Sequence, residues 1–176
     1  MDILDAFAGW VDRVSCWIGR FTGWLTTGMV LIVFYDTIMR YAFNRGNVAL
    51  QELEWHLFAL IFLVGAAYTL KEGGHVRVDI FFMRFSPKAK ALVDLLGHLI
   101  LLIPFSVVII LSTEKFVFNS WAVREVSSDP GGLPARYLLK AMIPVAFTLL
   151  IIQAISEIIK NILVLCGRRQ ENSAWK

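Results

Sequence analysis

The chain comprises 176 residues with a formal net charge of +3 and a pI near 9.0; 57% of them are hydrophobic and the mean hydropathy is +0.65. Soluble domains hold about 45 to 50% apolar residues, so a water-soluble globule would leave far too much apolar surface exposed. No basic run or aromatic-basic groove accompanies the positive charge, which excludes nucleic acid as a partner.

The pattern predicts an all-α, integral membrane four-helix protein with long tilted helices. It forms one domain over residues 1–176, with crossings at about 18–41, 52–70, 91–118 and 137–166 and a cytoplasmic surface loop at 71–90. About 20 residues at a rise of 1.5 Å span a hydrocarbon core of about 30 Å, so each stretch is long enough to cross. The 18% of residues that are charged gather in the gaps and ends of these stretches.

Ahead of the first crossing, Leu4, Phe7, Val14, Trp17, Phe21 and Trp24, with Trp10 between, recur at helical spacing. This stripe predicts an N-terminal amphipathic helical arm on the inner surface that runs into the crossing; a docking face for a partner helix is the alternative. Asp2, Asp5 and Asp12 leave no positive n-region, so the first apolar segment is expected to stay in the mature protein. Asp36 and Arg40 stand four apart on one face near the outer end of this helix, as a structural or subunit-interface pair, with a transport carboxylate as the other reading.

Asn44 to Asn47 reads as a short turn, after which Trp55 anchors the outer end of the second helix. Glu52 and His56 share a face there, while Glu54 points almost opposite; carboxylates in a first turn suit the helix dipole. Gly65, Ala66 and Ala67 are small enough to let helices approach closely. Gly73-Gly74 then breaks the helix, and His75, Arg77 and Asp79 alternate with Val76, Val78 and Ile80. So short an alternation fits a strand or an interfacial segment; a chain lying on the cytoplasmic membrane surface is favoured.

The third and fourth helices, near 30 residues each, exceed the bilayer core and must tilt, kink or protrude, with Pro104 and Pro144 as kink sites. Lys90, Asp94 and His98 form a ladder at the start of the third helix, read as solvated or snorkelling charge or as a subunit contact. Glu157 and Lys160 carry the same two readings. Asp129 to Pro134 is a turn that leads into the fourth helix.

Positive loops stay cytoplasmic. Eleven of the 17 Lys and Arg residues fall on the side of the termini and the 71–90 loop, and six, namely Arg40, Arg45, Lys115, Arg124, Arg136 and Lys140, on the other. Both termini are therefore expected in the cytoplasm, where Cys16 and Cys166 remain reduced as packing residues. His56 and His98 raise a bis-histidine haem, as in membrane anchors of respiratory complexes. Their depths from opposite ends miss one another by roughly 13 Å at helical rise. The sequence has no HExxH, P-loop or GxSxG motif and no metal-ligand spacing, so no enzyme, metal or cofactor is expected.

Gln51-Glu52-Leu53-Glu54-Trp55, Phe62 to Ala67 and above all Lys71-Glu72-Gly73-Gly74-His75-Val76-Arg77-Val78-Asp79 resemble the small membrane (Q-type, DctQ-like) subunit of tripartite ATP-independent periplasmic (TRAP) transporters. The resemblance extends to chain length, four crossings and the turn before the fourth helix. It implies a bacterial inner-membrane complex in which a periplasmic solute-binding protein captures an organic acid and a large membrane subunit moves it by an elevator motion. Sodium coupling would reside in that large subunit, with this chain as a static scaffold. Glu52 and the segment from Gly73 through Asp79, including His75, Arg77 and Asp79, are the subunit-interface or packing residues that the family pattern suggests. Asp36 and Arg40 join them on intramembrane charge alone. A free-standing small transporter and a haem-bearing anchor are the competing classes.

Overall fold

The computed structural model describes residues 3–74 and 85–167. Helices α1 (Ile3–Ala42), α2 (Val48–Lys71), α3 (Pro87–Ala122) and α4 (Arg136–Leu165) account for most of them, each long and apolar enough to cross a membrane. Among the described residues there is no strand. The expected His75, Arg77 and Asp79 segment lies outside the described residues.

Helix ends follow local chemistry. Asn44 takes a left-handed φ of 51°, and the Arg45 amide donates to the Met39 carbonyl, which closes the α1–α2 turn. Asn47 then caps α2, its side-chain oxygen accepting from the Ala49 amide at 2.9 Å. At the far end the Gly73 amide reaches Leu70 and the Gly74 amide reaches Thr69, with Gly73 at φ 66°. These two bonds form a Schellman stop that satisfies otherwise orphaned carbonyls. Ser86 caps α3, with Pro87 in its first turn.

Pro144 lies inside α4, and Pro104 follows a six-residue π-helical stretch, Gly97–Leu102. Pro104 has no amide to give its preceding turn, and the Ile103 amide instead reaches back five residues to the His98 carbonyl. Thr148 donates to the Pro144 carbonyl at 2.7 Å inside α4. Ser106, Thr22 and Thr113 donate to their own helices in the same way, as hydroxyl groups away from water must.

Helix α4 packs against each of the other three, and α1 also packs along α2. The interior is rich in small side chains, with Ala8, Ser15, Ala67, Ala91, Ser106, Ala146, Ala154 and Ser156 all buried, around an apolar cluster that includes Leu70 and Leu150. Lipid supplies no hydrophobic drive between helices, so close backbone approach and dispersion hold them instead. The outer surface carries the large apolar side chains. Phe7, Trp10, Trp17, Phe21 and Trp24 all face outward, while Ala8, Val11, Ser15, Ile18 and Thr22 on the opposite face of α1 are buried. The amphipathic arm and the first crossing are thus one continuous helix whose small-residue face packs inward.

The expectation of close approach at Gly65, Ala66 and Ala67 holds at Ala67, which is buried, and at Ala66, which packs against the cluster of Leu70, Leu150 and Ala154, but is corrected at Gly65. A Cβ built on Gly65 meets nothing within 4 Å, whereas one on Gly19 falls 2.5 Å from the Tyr68 ring. The α1–α2 contact therefore requires glycine at position 19, because Tyr68 rather than a small residue faces it. Gly19→Ala is expected to destabilise by about 1 to 3 kcal/mol through overpacking, while Gly65→Ala is neutral or stabilising through helix propensity. Thermal unfolding in one detergent checks this; equal effects at both sites would refute it.

Candidate functional site

The polar side chains of the described bundle gather in two tiers. Arg136 and Gln153 mark them on α4, 17 residues apart in sequence. At helical rise that is about 26 Å, close to the thickness of a hydrocarbon core.

The loop-side tier centres on Glu52, which is buried. Its Oε1 accepts from Arg136 Nη2 at 2.6 Å and from the Ser127 hydroxyl, and its Oε2 accepts from the Leu133 amide. Ser127 Oγ accepts in turn from the Asp129 amide and from Arg136, both at 3.1 Å. One carboxylate thus ties the start of α2 to the whole connection between α3 and α4. A Cβ on Gly132 would collide with Ser127 and with Glu52 Oε2, so glycine is required beneath the carboxylate. Arg136 also lies over the Trp55 ring at 5.7 Å. His56 Nδ1 sits 2.6 Å from the Glu52 carbonyl, which can only accept, so this nitrogen carries the proton.

The same connection is fixed at its other end. Glu125 accepts from Lys140 and from Ser120, and its carbonyl accepts from the Arg136 amide at 3.0 Å. Asp36 is wholly buried near the end of α1, with Arg40 Nη2 at 3.3 Å from its Oδ2. Asp36 and Glu52 belong to one tier but have separate partners.

The terminus-side tier latches α1 to α4. Lys160 Nζ donates to Asp12 Oδ1 at 3.0 Å and Oδ2 at 3.2 Å, and also pairs with Glu157. Gln153 Nε2 donates to Asp12 at 3.1 Å and to Glu157 at 2.9 Å, while Gln153 Oε1 accepts from Ser15 at 2.7 Å. Both expectations for Glu157 and Lys160, solvated charge or contact with another subunit, are corrected: the two are buried inside this chain. Burial of Lys160 is tolerated because two carboxylates converge on its ammonium. Gln153, Ser156, Glu157 and Lys160 recur at helical spacing on one face of α4, which is the signal that could have found them. Ser127, Gly132 and Arg136 left no such periodic trace.

Among the described residues, no three His, Cys, Asp or Glu side chains come together as metal ligands. Four apolar helices clamped by polar tiers about one bilayer apart define a multi-pass integral membrane protein. Residues 29–163 match the family model described as tripartite ATP-independent periplasmic transporters, DctQ component, and the chain belongs to that family. A Haemophilus influenzae protein bearing the provisional name of TRAP transporter small permease protein is 28% identical over 105 residues, 60% of this chain. The match spans 65% of that relative's own length. No solved structure matches the chain significantly. Membership of that family is consistent with a transporter component rather than an enzyme.

Glu125 lies outside the crossings and gives a pH test. The hydrogen bond from Lys140, then that from Ser120, holds its carboxyl below the ordinary glutamate range. A carboxylate whose pKa folding lowers adds stability above its unfolded pKa, and loses it as pH falls through the folded value. Wild type should therefore melt above Glu125→Gln at neutral pH, with the gap closing as pH falls below about 4. A gap that stays constant with pH would contradict the pairing.

Proposed function

We propose that this chain is the static membrane brace of a TRAP transporter for an organic acid, enlarging the frame against which a large elevator-type subunit moves its transport domain. The observation that carries this reading is the character of the membrane middle. Residues 21–35, 57–70, 99–113 and 141–156 contain no Asp, Glu, Lys, Arg or His. Ion and solute pathways need polar ligands near mid-membrane, commonly on broken helices. Here the ionisable groups stand toward the two edges, and the buried Glu52, Glu157 and Lys160 are bonded within the same chain.

The large membrane subunit and a periplasmic solute-binding protein are the partners, and sodium coupling resides in the former. The whole chain acts as one four-helix domain in a bacterial inner membrane. Its termini lie in the cytoplasm, in accord with the excess of Lys and Arg on that side. Glu52 serves by packing, since its carboxylate is already satisfied, and Asp36 with Arg40 steadies the end of α1. His75, Arg77 and Asp79 stabilise the contact with the large subunit or the packing beneath it.

Reconstituted alone, the chain should move no organic acid or sodium into vesicles, and should support uptake only with its large partner. Arg77→Ala and Asp79→Ala should insert normally yet lower co-purification of the large subunit. Transport by the isolated chain sinks the brace; unchanged assembly and uptake in both variants removes that loop from the interface.

A further inference from the structure

Beside Asp36 lies a cavity of about 220 Å³, between the end of α1 and the turn into α2, lined in part by Tyr35, Asp36, Met39, Arg45 and Asn47. At about 30 Å³ per water, it has room for a small polar headgroup. Asp36 is fully buried, and neither of its carboxylate oxygens receives a hydrogen bond. Arg40 stands 3.3 Å away as an ion pair without hydrogen-bond geometry. A buried carboxylate without a donor is costly, so the site calls for an N–H group from outside the chain.

The charges around it restrict what that group can belong to. A metal ion or a neighbour's lysine would meet the Asp36 carboxylate but also the Arg40 guanidinium beside it and a second cationic residue, Arg45, in the cavity lining. A zwitterion with its ammonium inward and an anionic group outward satisfies both signs at once. Depth narrows the choice further. Asp36 is six residues from the end of α1 at Ala42, about 9 Å at helical rise, near the level of lipid headgroups. Tyr35, which lines the cavity, is exposed, as are Leu31, Phe34 and Ile38 farther round the helix, so lipid reaches this end of α1.

We propose that this cavity binds the headgroup of a phospholipid carrying a primary ammonium and a phosphate, of the phosphatidylethanolamine class, with the ammonium on Asp36 and the phosphate toward Arg45. A phosphatidylcholine headgroup has the same charges but no N–H to donate, so it discriminates hydrogen bonding from mere charge. The inference rests on the membrane placement of α1 and not on the transporter reading.

The test is native mass spectrometry of the full chain equilibrated in mixed micelles with equal amounts of phosphatidylethanolamine and phosphatidylcholine. Wild type should retain the former about tenfold over the latter, the ratio expected for one charge-assisted hydrogen bond. Asp36→Asn, which loses the charge but keeps one acceptor oxygen, should reduce that preference, and Arg45→Gln should weaken retention of both lipids. Equal retention by wild type overturns the proposal whether or not the Asp36 variant folds, as does an undiminished preference in a folded Asp36→Asn. Displacement of the lipid by soluble phosphoethanolamine at equal concentration overturns the membrane source.

Discussion

A hydrocarbon core offers no partner to a charge or to a peptide group, so whatever polar chemistry a membrane bundle contains must be satisfied within it or carried to its edges. The arrangement of this chain follows from that constraint. Hydroxyl groups in the crossings donate to carbonyls of their own helices. The buried carboxylates and ammonium group lie in two tiers about one hydrocarbon thickness apart. Between them, small residues bring the helices together and large apolar ones face lipid.

The two tiers differ in how they hold the chain. On the loop side Glu52 grips backbone and side chains of the connection before α4, which converts an irregular segment into a fixed strut. At the other end, side chains of α1 and α4 interlock around Lys160, joining residues 148 apart in sequence. Helix α4 takes part in both and also packs against α2 and α3. Loss of either tier would free one end of the bundle while leaving the other anchored. A component proposed to resist the motion of its neighbour gains from such fastening at both faces of the bilayer, because a single hinge point would let the helices splay.

Much of this was legible in the sequence. The four crossings emerge from length and hydropathy alone, and Gly73-Gly74, Asn47 and the Asp129 to Pro134 turn mark real ends, since capping and positive φ are local properties. Glu52 stood out through its motif, but its partners did not. Ser127, Leu133 and Arg136 lie 75 or more residues away and meet it only through the packing of α2 beside α4. The small-residue reading of Gly65 failed for a related reason: composition shows where close approach is possible, and the facing side chain decides where it happens. A charge at a helix end suggests either water or another subunit as its partner; at Glu157 and Lys160 the extra length of α1 below the first crossing, which brings Asp12 alongside, buries both instead.

The claim on which the rest depends is that the edge charges fasten helices of this chain to one another. A double-mutant cycle on Asp12 and Lys160, read as thermal unfolding in lipid nanodiscs, tests it most directly. The account predicts that Asp12→Ala and Lys160→Ala are each destabilising and strongly non-additive, with a coupling of about 1 kcal/mol or more. Additive effects would contradict it.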